Sequence, residues 1–143
     1  MIKLNCIILI AEDNPDHAEL ICDTIQDCET GIRICVKKNG EEALRFLYDQ
    51  HKQRGELPDL ILMDIKMPRM NGIETLAAIK QDPALRHIPI IMLSTSTNET
   101  EMRACLKSGA AAYLAKPLEA GEFDDKIRPL LEEPKPRDAV APD

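Results

Sequence analysis

Residues able to do acid, metal or phosphate chemistry stand in four separated places in this chain, each directly after an apolar run. Glu12 and Asp13 follow CIILIA, Asp64 follows LILM, Ser94 and Thr95 follow IPIIML, and Lys116 and Pro117 follow AAYLA. A carboxylate is costly inside an apolar core, so the runs must end where the acids stand. If the four ends converge, three carboxylates repel one another and tend to hold protons unless a cation sits among them. Oxygen-only ligands suit Mg²⁺, a hard ion that takes about six of them and keeps several waters. A single lysine opposite fits a phosphate as a point charge, and a serine hydroxyl donates to another phosphate oxygen. Together these groups form the apparatus for an aspartyl phosphate, with the Asp64 carboxylate as nucleophile.

Taken singly, each place has an ordinary explanation. An acid pair such as Glu12-Asp13 is commonly a solvated loop charge, Asp64 could cap the turn at Pro68, and Lys116-Pro117 carries little information. The argument rests on all four standing at strand ends at once. His17, His51 and His87 lie apart on polar segments without ligand or triad spacing, and read as surface residues.

The elements that must position these groups are legible as alternating patterns. Five apolar runs of strand length occur at residues 6–11, 32–36, 60–63, 88–94 and 111–115. Between them lie amphipathic helical stretches. The first carries Ala18, Ile21, Cys22 and Ile25 on one face, and Asn14 before Pro15 suits its start. The second runs from Glu41 to about Gln50 with Ala43, Leu44 and Leu47; the third shows Ile73, Leu76 and Ile79; the fourth ends at Gly109. A last helix is expected from near Glu119 with Phe123, Ile127 and Leu130 on one face, kinked or interrupted at Pro129. The proline-rich polar stretch 134–143 has nothing to bury and is expected to be disordered. Apolar runs, rather than alternation, belong to a parallel sheet covered on both faces. The fold class is therefore an open α/β sandwich forming one domain over residues 1–133. In such a sheet ligands bind outside the carboxyl ends of the strands, where the four chemical places lie.

Composition narrows the function classes. A net charge of −7 argues against a nucleic-acid surface, and two Phe, two Tyr and no Trp leave little for stacking on bases. The five cysteines have no C-x-x-C spacing, which favours reduced thiols over a metal or redox site. The opening apolar run breaks at an acid pair too early for a signal peptide or a membrane span. A cytoplasmic protein without a membrane partner is expected.

The segments ILIAEDN, LILMDIKMPRMNGIETL, IPIIMLSTS and SGAAAYLAKPL resemble, in order, the signatures of two-component response-regulator receiver domains. The resemblance extends over about residues 4–131. It implies a flavodoxin-like five-stranded parallel sheet of order 2-1-3-4-5, an order for which a receiver is a standard example. It further implies that Asp64 is the phosphoacceptor, that Asp13 binds Mg²⁺ directly and Glu12 mainly through water, and that the Lys66 carbonyl completes the protein ligands. Lys116 would contact the phosphoryl group, Ser94 would be the switch hydroxyl, and Tyr113 the aromatic that turns inward on activation. Pro117 would follow a cis peptide bond. The implied partners are a sensor histidine kinase or a phosphotransfer protein, and a downstream protein target.

The chain departs from many members of that family. YDQHKQRGELPD is long, and resembles the small regulators that partner phytochrome-type kinases. Thr95 replaces a small residue after the switch position and could crowd access to the phosphate, while Pro129 disturbs the usual helix-mediated dimer face. Residues 118–143 leave room for one helix and a tail, so a stand-alone regulator is expected that catalyses no multiple-turnover reaction. Two other readings stay open. A phosphohydrolase or phosphotransferase with an aspartate nucleophile would usually carry D-x-D, but Lys66 stands where the second acid belongs. A binding scaffold that accepts no phosphate would not need Glu12, Asp13, Asp64, Ser94 and Lys116 together.

Overall fold

The three central strands of this protein are too apolar to leave either face in water, and the fold covers both. The structure, a computed structural model, describes residues 1–96 and 98–132. The tail expected at 134–143, and with it the domain end expected at 133, lies outside these residues. Strands β1 (Ile7–Ala11), β2 (Arg33–Lys37), β3 (Leu60–Asp64), β4 (Ile90–Ser94) and β5 (Ala112–Ala115) form one sheet of order β2-β1-β3-β4-β5. Every neighbouring pair is parallel. This is the open flavodoxin-like arrangement.

Side chains alternate between the two faces of a strand. Ile8, Ile10, Leu60, Leu62, Ile91, Leu93 and Leu114 therefore point one way, against Ile21 and Ile25 of α1 (Pro15–Cys28) and against Phe123, Ile127 and Leu131. Leu9, Ile61, Met63, Ile90 and Met92 point the other way. They pack on α2 (Gly40–Lys52), α3 (Gly72–Gln81) and α4 (Glu99–Lys107). Four of the helices start with the same device. Asn14, Asn39, Asn71 and Asn98 each sit in extended backbone and accept hydrogen bonds from N–H groups of the first turn of α1, α2, α3 and α4.

The C-terminal helical stretch differs from the expected regular helix. It begins as a single turn, α5 (Ala120–Glu122), widens into a π-helical segment over Phe123–Ile127, and closes as α6 (Arg128–Leu131). The Arg128 N–H donates five residues back, to the Phe123 carbonyl. The wide turn delivers Pro129 into the first turn of α6, a position where proline is tolerated. It also moves the apolar stripe by one residue: Leu131 is buried, and Leu130 is 38% exposed. Arg128 holds this stretch to the end of α1, donating to Glu29 (2.7 Å) and to the Cys28 carbonyl (3.1 Å).

Candidate functional site

The parallel register sets the site. Ala11 pairs with Met63, Asp64 with Leu93, and Ser94 with Ala115, so Glu12 and Asp64 come level at one edge, with Ser94 one residue and Lys116 two residues beyond them. Asp64 and Ser94 are the last residues of their strands rather than the first residues beyond them. Backbone bonds continue past the strand ends and hold the edge: Glu12 N–H to Lys37 carbonyl (2.9 Å), Ile65 N–H to Leu93 carbonyl (3.2 Å) and Lys116 N–H to Ser94 carbonyl (2.8 Å). The peptide bond from Lys116 to Pro117 is cis, as the resemblance implies.

Lys116 is the centre of the edge. Its ammonium group lies 2.5 Å from Glu12 Oε1, 3.1 Å from Asp64 Oδ1 and 3.2 Å from His17 Nδ1. The ammonium donates to Glu12, pairs ionically with Asp64 and meets the His17 ring nitrogen. The two acid partners and the lysine are all buried. Burial, followed by the Glu12 charge, pushes the Asp64 carboxyl up to about 6, and the neighbouring Lys116 only partly opposes this.

The same edge offers a place for a cation. One carboxylate oxygen from each of Glu12, Asp13 and Asp64 lies within 4.8 Å of the others, with Asp13 exposed to solvent. Three hard oxygen donors that repel one another fit a divalent ion such as Mg²⁺. Lys66 and Thr95 line the cavity above them, which holds about 170 Å³.

The loop leaving Asp64 is tightly constrained. The Gly72 N–H donates to the Ile65 carbonyl (2.8 Å), and a Cβ on Gly72 would lie 2.3 Å from the Asp64 carbonyl oxygen. Only glycine lets α3 begin this close to the end of β3. Arg69 takes φ +68°, with the Met70 N–H bonded to the Pro68 carbonyl (2.7 Å), a tight γ-turn that strains a non-glycine residue.

Ser94 and Tyr113 lie on the α4 side of the edge. Ser94 is buried; its hydroxyl donates to Glu101 Oε1 (3.2 Å) and accepts from the Ser96 N–H (3.0 Å). The Tyr113 hydroxyl lies 2.7 Å from the same Glu101 oxygen and 2.8 Å from the Ser96 carbonyl, and burial raises its pKa. Tyr113 does not line the acid cavity.

Two participants escaped the sequence reading. His17 was expected at the surface, yet its ring nitrogen meets Lys116. No local signal marks this contact, since Lys116 lies 99 residues away and Asp13 precedes the helix that carries His17. Glu101 sits three residues after the cap Asn98, where an acid normally serves the helix dipole; nothing local shows that its carboxylate turns toward Ser94.

Known proteins resemble this chain along most of its length. The family model described as "Response regulator receiver domain" matches residues 8–128. The probable methanogenesis regulatory protein FilR2 of Methanothrix harundinacea is 35% identical over 126 residues, spanning 88% of this chain and 79% of FilR2. The bacteriophytochrome response regulator AtBRR superposes with a TM-score of 0.78 at 32% identity, over 93% of this chain and 97% of AtBRR. The Mn²⁺-bound form of the response regulator Rcp1 superposes with a TM-score of 0.73 at 28% identity, over 91% of this chain and 97% of Rcp1. With its sheet order, its edge of acids and lysine, and these matches along most of its length, the chain belongs to the response-regulator receiver family.

Proposed function

We propose that this protein accepts a phosphoryl group from a phosphorylated histidine of a sensor kinase or phosphotransfer protein on Asp64, and signals through the resulting change of its docking surface. The observation that carries the reading is the buried Lys116 ammonium shared between Glu12 and Asp64. An Asp64 oxygen attacks phosphorus as the P–N bond of the donor breaks, and the imidazole nitrogen keeps the bonding pair. Lys116 then turns an N–H to a phosphoryl oxygen. Asp13, Glu12 and Asp64, with the Lys66 carbonyl, would hold Mg²⁺, which supplies charge neutralisation for the transferred group. Ser94 donates to a phosphoryl oxygen, and Tyr113 reports the change on the α4 side. The protein turns over no substrate of its own beyond this single acceptance and loss.

The surface beside the cavity suits a particular donor. His17, Leu20, Ile21, Thr95, Lys116 and Pro117 line an adjoining apolar hollow of about 230 Å³, and Leu20 is more than half exposed. Asp16, Glu19, Asp23 and Asp27 stand exposed along the same helix, which carries no lysine or arginine. A donor helix with apolar and basic residues around its phosphohistidine complements this face. The name of AtBRR supports a phytochrome-type kinase as that donor.

The test is transfer of label from a panel of autophosphorylated histidine kinases. Mg²⁺-dependent, hydroxylamine-labile label is expected on wild type, falling with added salt, and complete loss is expected for Asp64→Asn. Label that survives Asp64→Asn unchanged would overturn the assignment.

A further inference from the structure

Glu101 receives both hydroxyl groups that the reading above assigns to signalling. Its Oε1 lies 3.2 Å from Ser94 Oγ and 2.7 Å from the Tyr113 hydroxyl. The Ser96 backbone completes a ring, its N–H on Ser94 Oγ (3.0 Å) and its carbonyl on the Tyr113 hydroxyl (2.8 Å). Ser94 has one hydroxyl proton to donate. Among the described residues that proton goes to Glu101, away from Asp64. Glu101 also belongs to the first turn of α4, where its own N–H is capped by Asn98 (3.0 Å).

We propose that Glu101 is a positioning residue that holds the Ser94 proton in reserve and competes for it with a phosphoryl group on Asp64. This rests on the reading of Asp64 as phosphoacceptor. When Ser94 turns to the phosphoryl oxygen, Glu101 keeps Tyr113 as its remaining side-chain donor within the ring. The change is thereby delivered to the first turn of α4. A direct steric link from Ser94 to Tyr113 is not required, because one carboxylate oxygen connects them.

Glu101 is an anion, and hydrogen bonds to charged groups are stronger than neutral ones. Glu101→Gln weakens the competitor while preserving its shape. It should tighten binding of beryllofluoride, a phosphoryl mimic, about fivefold in the presence of Mg²⁺. A general effect of removing negative charge would tighten binding as well, so the decisive comparison is made in a second background. In Ser94→Ala the competition no longer exists, and Glu101→Gln should leave mimic affinity unchanged there. An equal gain in both backgrounds, or none in either, would overturn the proposal.

The contact with Tyr113 has its own readout, independent of any phosphoryl group. Burial, then the surrounding hydrogen bonds and the Glu101 charge, set the Tyr113 titration. Glu101→Gln in a Tyr48→Phe background, which leaves Tyr113 as the sole tyrosine, should lower that titration midpoint. An unchanged midpoint overturns the proposal alone. Equal mimic binding by wild type and Asp64→Asn overturns the phosphoacceptor reading, and this proposal with it.

Discussion

The two faces of the sheet edge handle their polar groups in opposite ways. On the α1 face, Glu12, Asp64 and Lys116 are full charges taken out of water and packed within 3.1 Å of the ammonium. On the α4 face, Ser94 and Tyr113 are neutral hydroxyls sharing one acid, Glu101. Strand periodicity explains the division. Residues of even number in β1, β3 and β5, and of odd number in β4, face α1; those of the opposite parity face the helices on the other side. Leu93 faces α1, so the following residue, Ser94, turns toward α4. The first face has an excess of negative charge that only a cation or a proton can relieve. The second is neutral apart from Glu101, and its hydrogen bonds can be exchanged at small cost. Under the proposed function, one face holds the chemistry and the other reads it.

The strongest way to break this contrast is to remove the lysine. Lys116→Met leaves Glu12 and Asp64 buried without their cation, and stability should fall by about 3–5 kcal/mol. Denaturant unfolding in chelator measures this, and Mg²⁺ should restore much of the loss in the variant. A loss under about 1 kcal/mol would mean that the charges are solvated and the contrast is false.

Next in size is the backbone support of the α1 face. Gly72→Ala drives a Cβ to 2.3 Å from the Asp64 carbonyl and must push β3 and α3 apart. About 2–3 kcal/mol of destabilisation is expected, together with weaker Mg²⁺ binding. Calorimetry of unfolding and of Mg²⁺ titration would show both. An Mg²⁺ affinity unchanged in the variant would separate the metal site from this support.

The acid excess also fixes a pH dependence. Asp64 is raised from an unfolded value near 3.8 to about 6, first by burial and then by Glu12. The folded state then holds a proton that the unfolded state has released. Stability of the metal-free protein from this group is full below about pH 4 and is lost as pH rises toward 6. Mg²⁺ must displace that proton, so its affinity should climb through the same window and level off above it. Thermal melts with chelator and with Mg²⁺, at pH values from 4 to 8, test both signs. Asp64→Asn should flatten the metal-free profile, whereas Ser94→Ala, on the other face, should not.

The smallest effect concerns the turn that belongs to neither face. Arg69 holds a positive φ that glycine adopts freely, and its ion pair with Glu41 (3.5 Å) is exposed. Arg69→Gly should stabilise the protein by about 0.5–1 kcal/mol, the relieved strain exceeding the added chain entropy. Phosphoryl transfer should be unaffected. A drop in transfer would show that the strained turn aims Asp64.

By itself the sequence determined the strands, because an apolar run with an acid behind it has few places to go but the core and its edge. It determined the convergence of Glu12, Asp64, Ser94 and Lys116, since a parallel sheet brings all its carboxyl ends to one side. Asn14 announced the start of α1 for a local reason, the pairing of its side chain with N–H groups two and three residues ahead. The tertiary structure alone decided what meets across the edge. His17 reaches Lys116 across 99 positions, and Tyr113 reaches Glu101 from a neighbouring strand. Neither contact has a local pattern to reveal it, because each depends on how a helix crosses the sheet. The wide turn before Pro129 belongs to the same class. The proline signalled a break, but the packing of Phe123, Ile127 and Leu131 against the sheet decided that the helix would widen by one residue and continue.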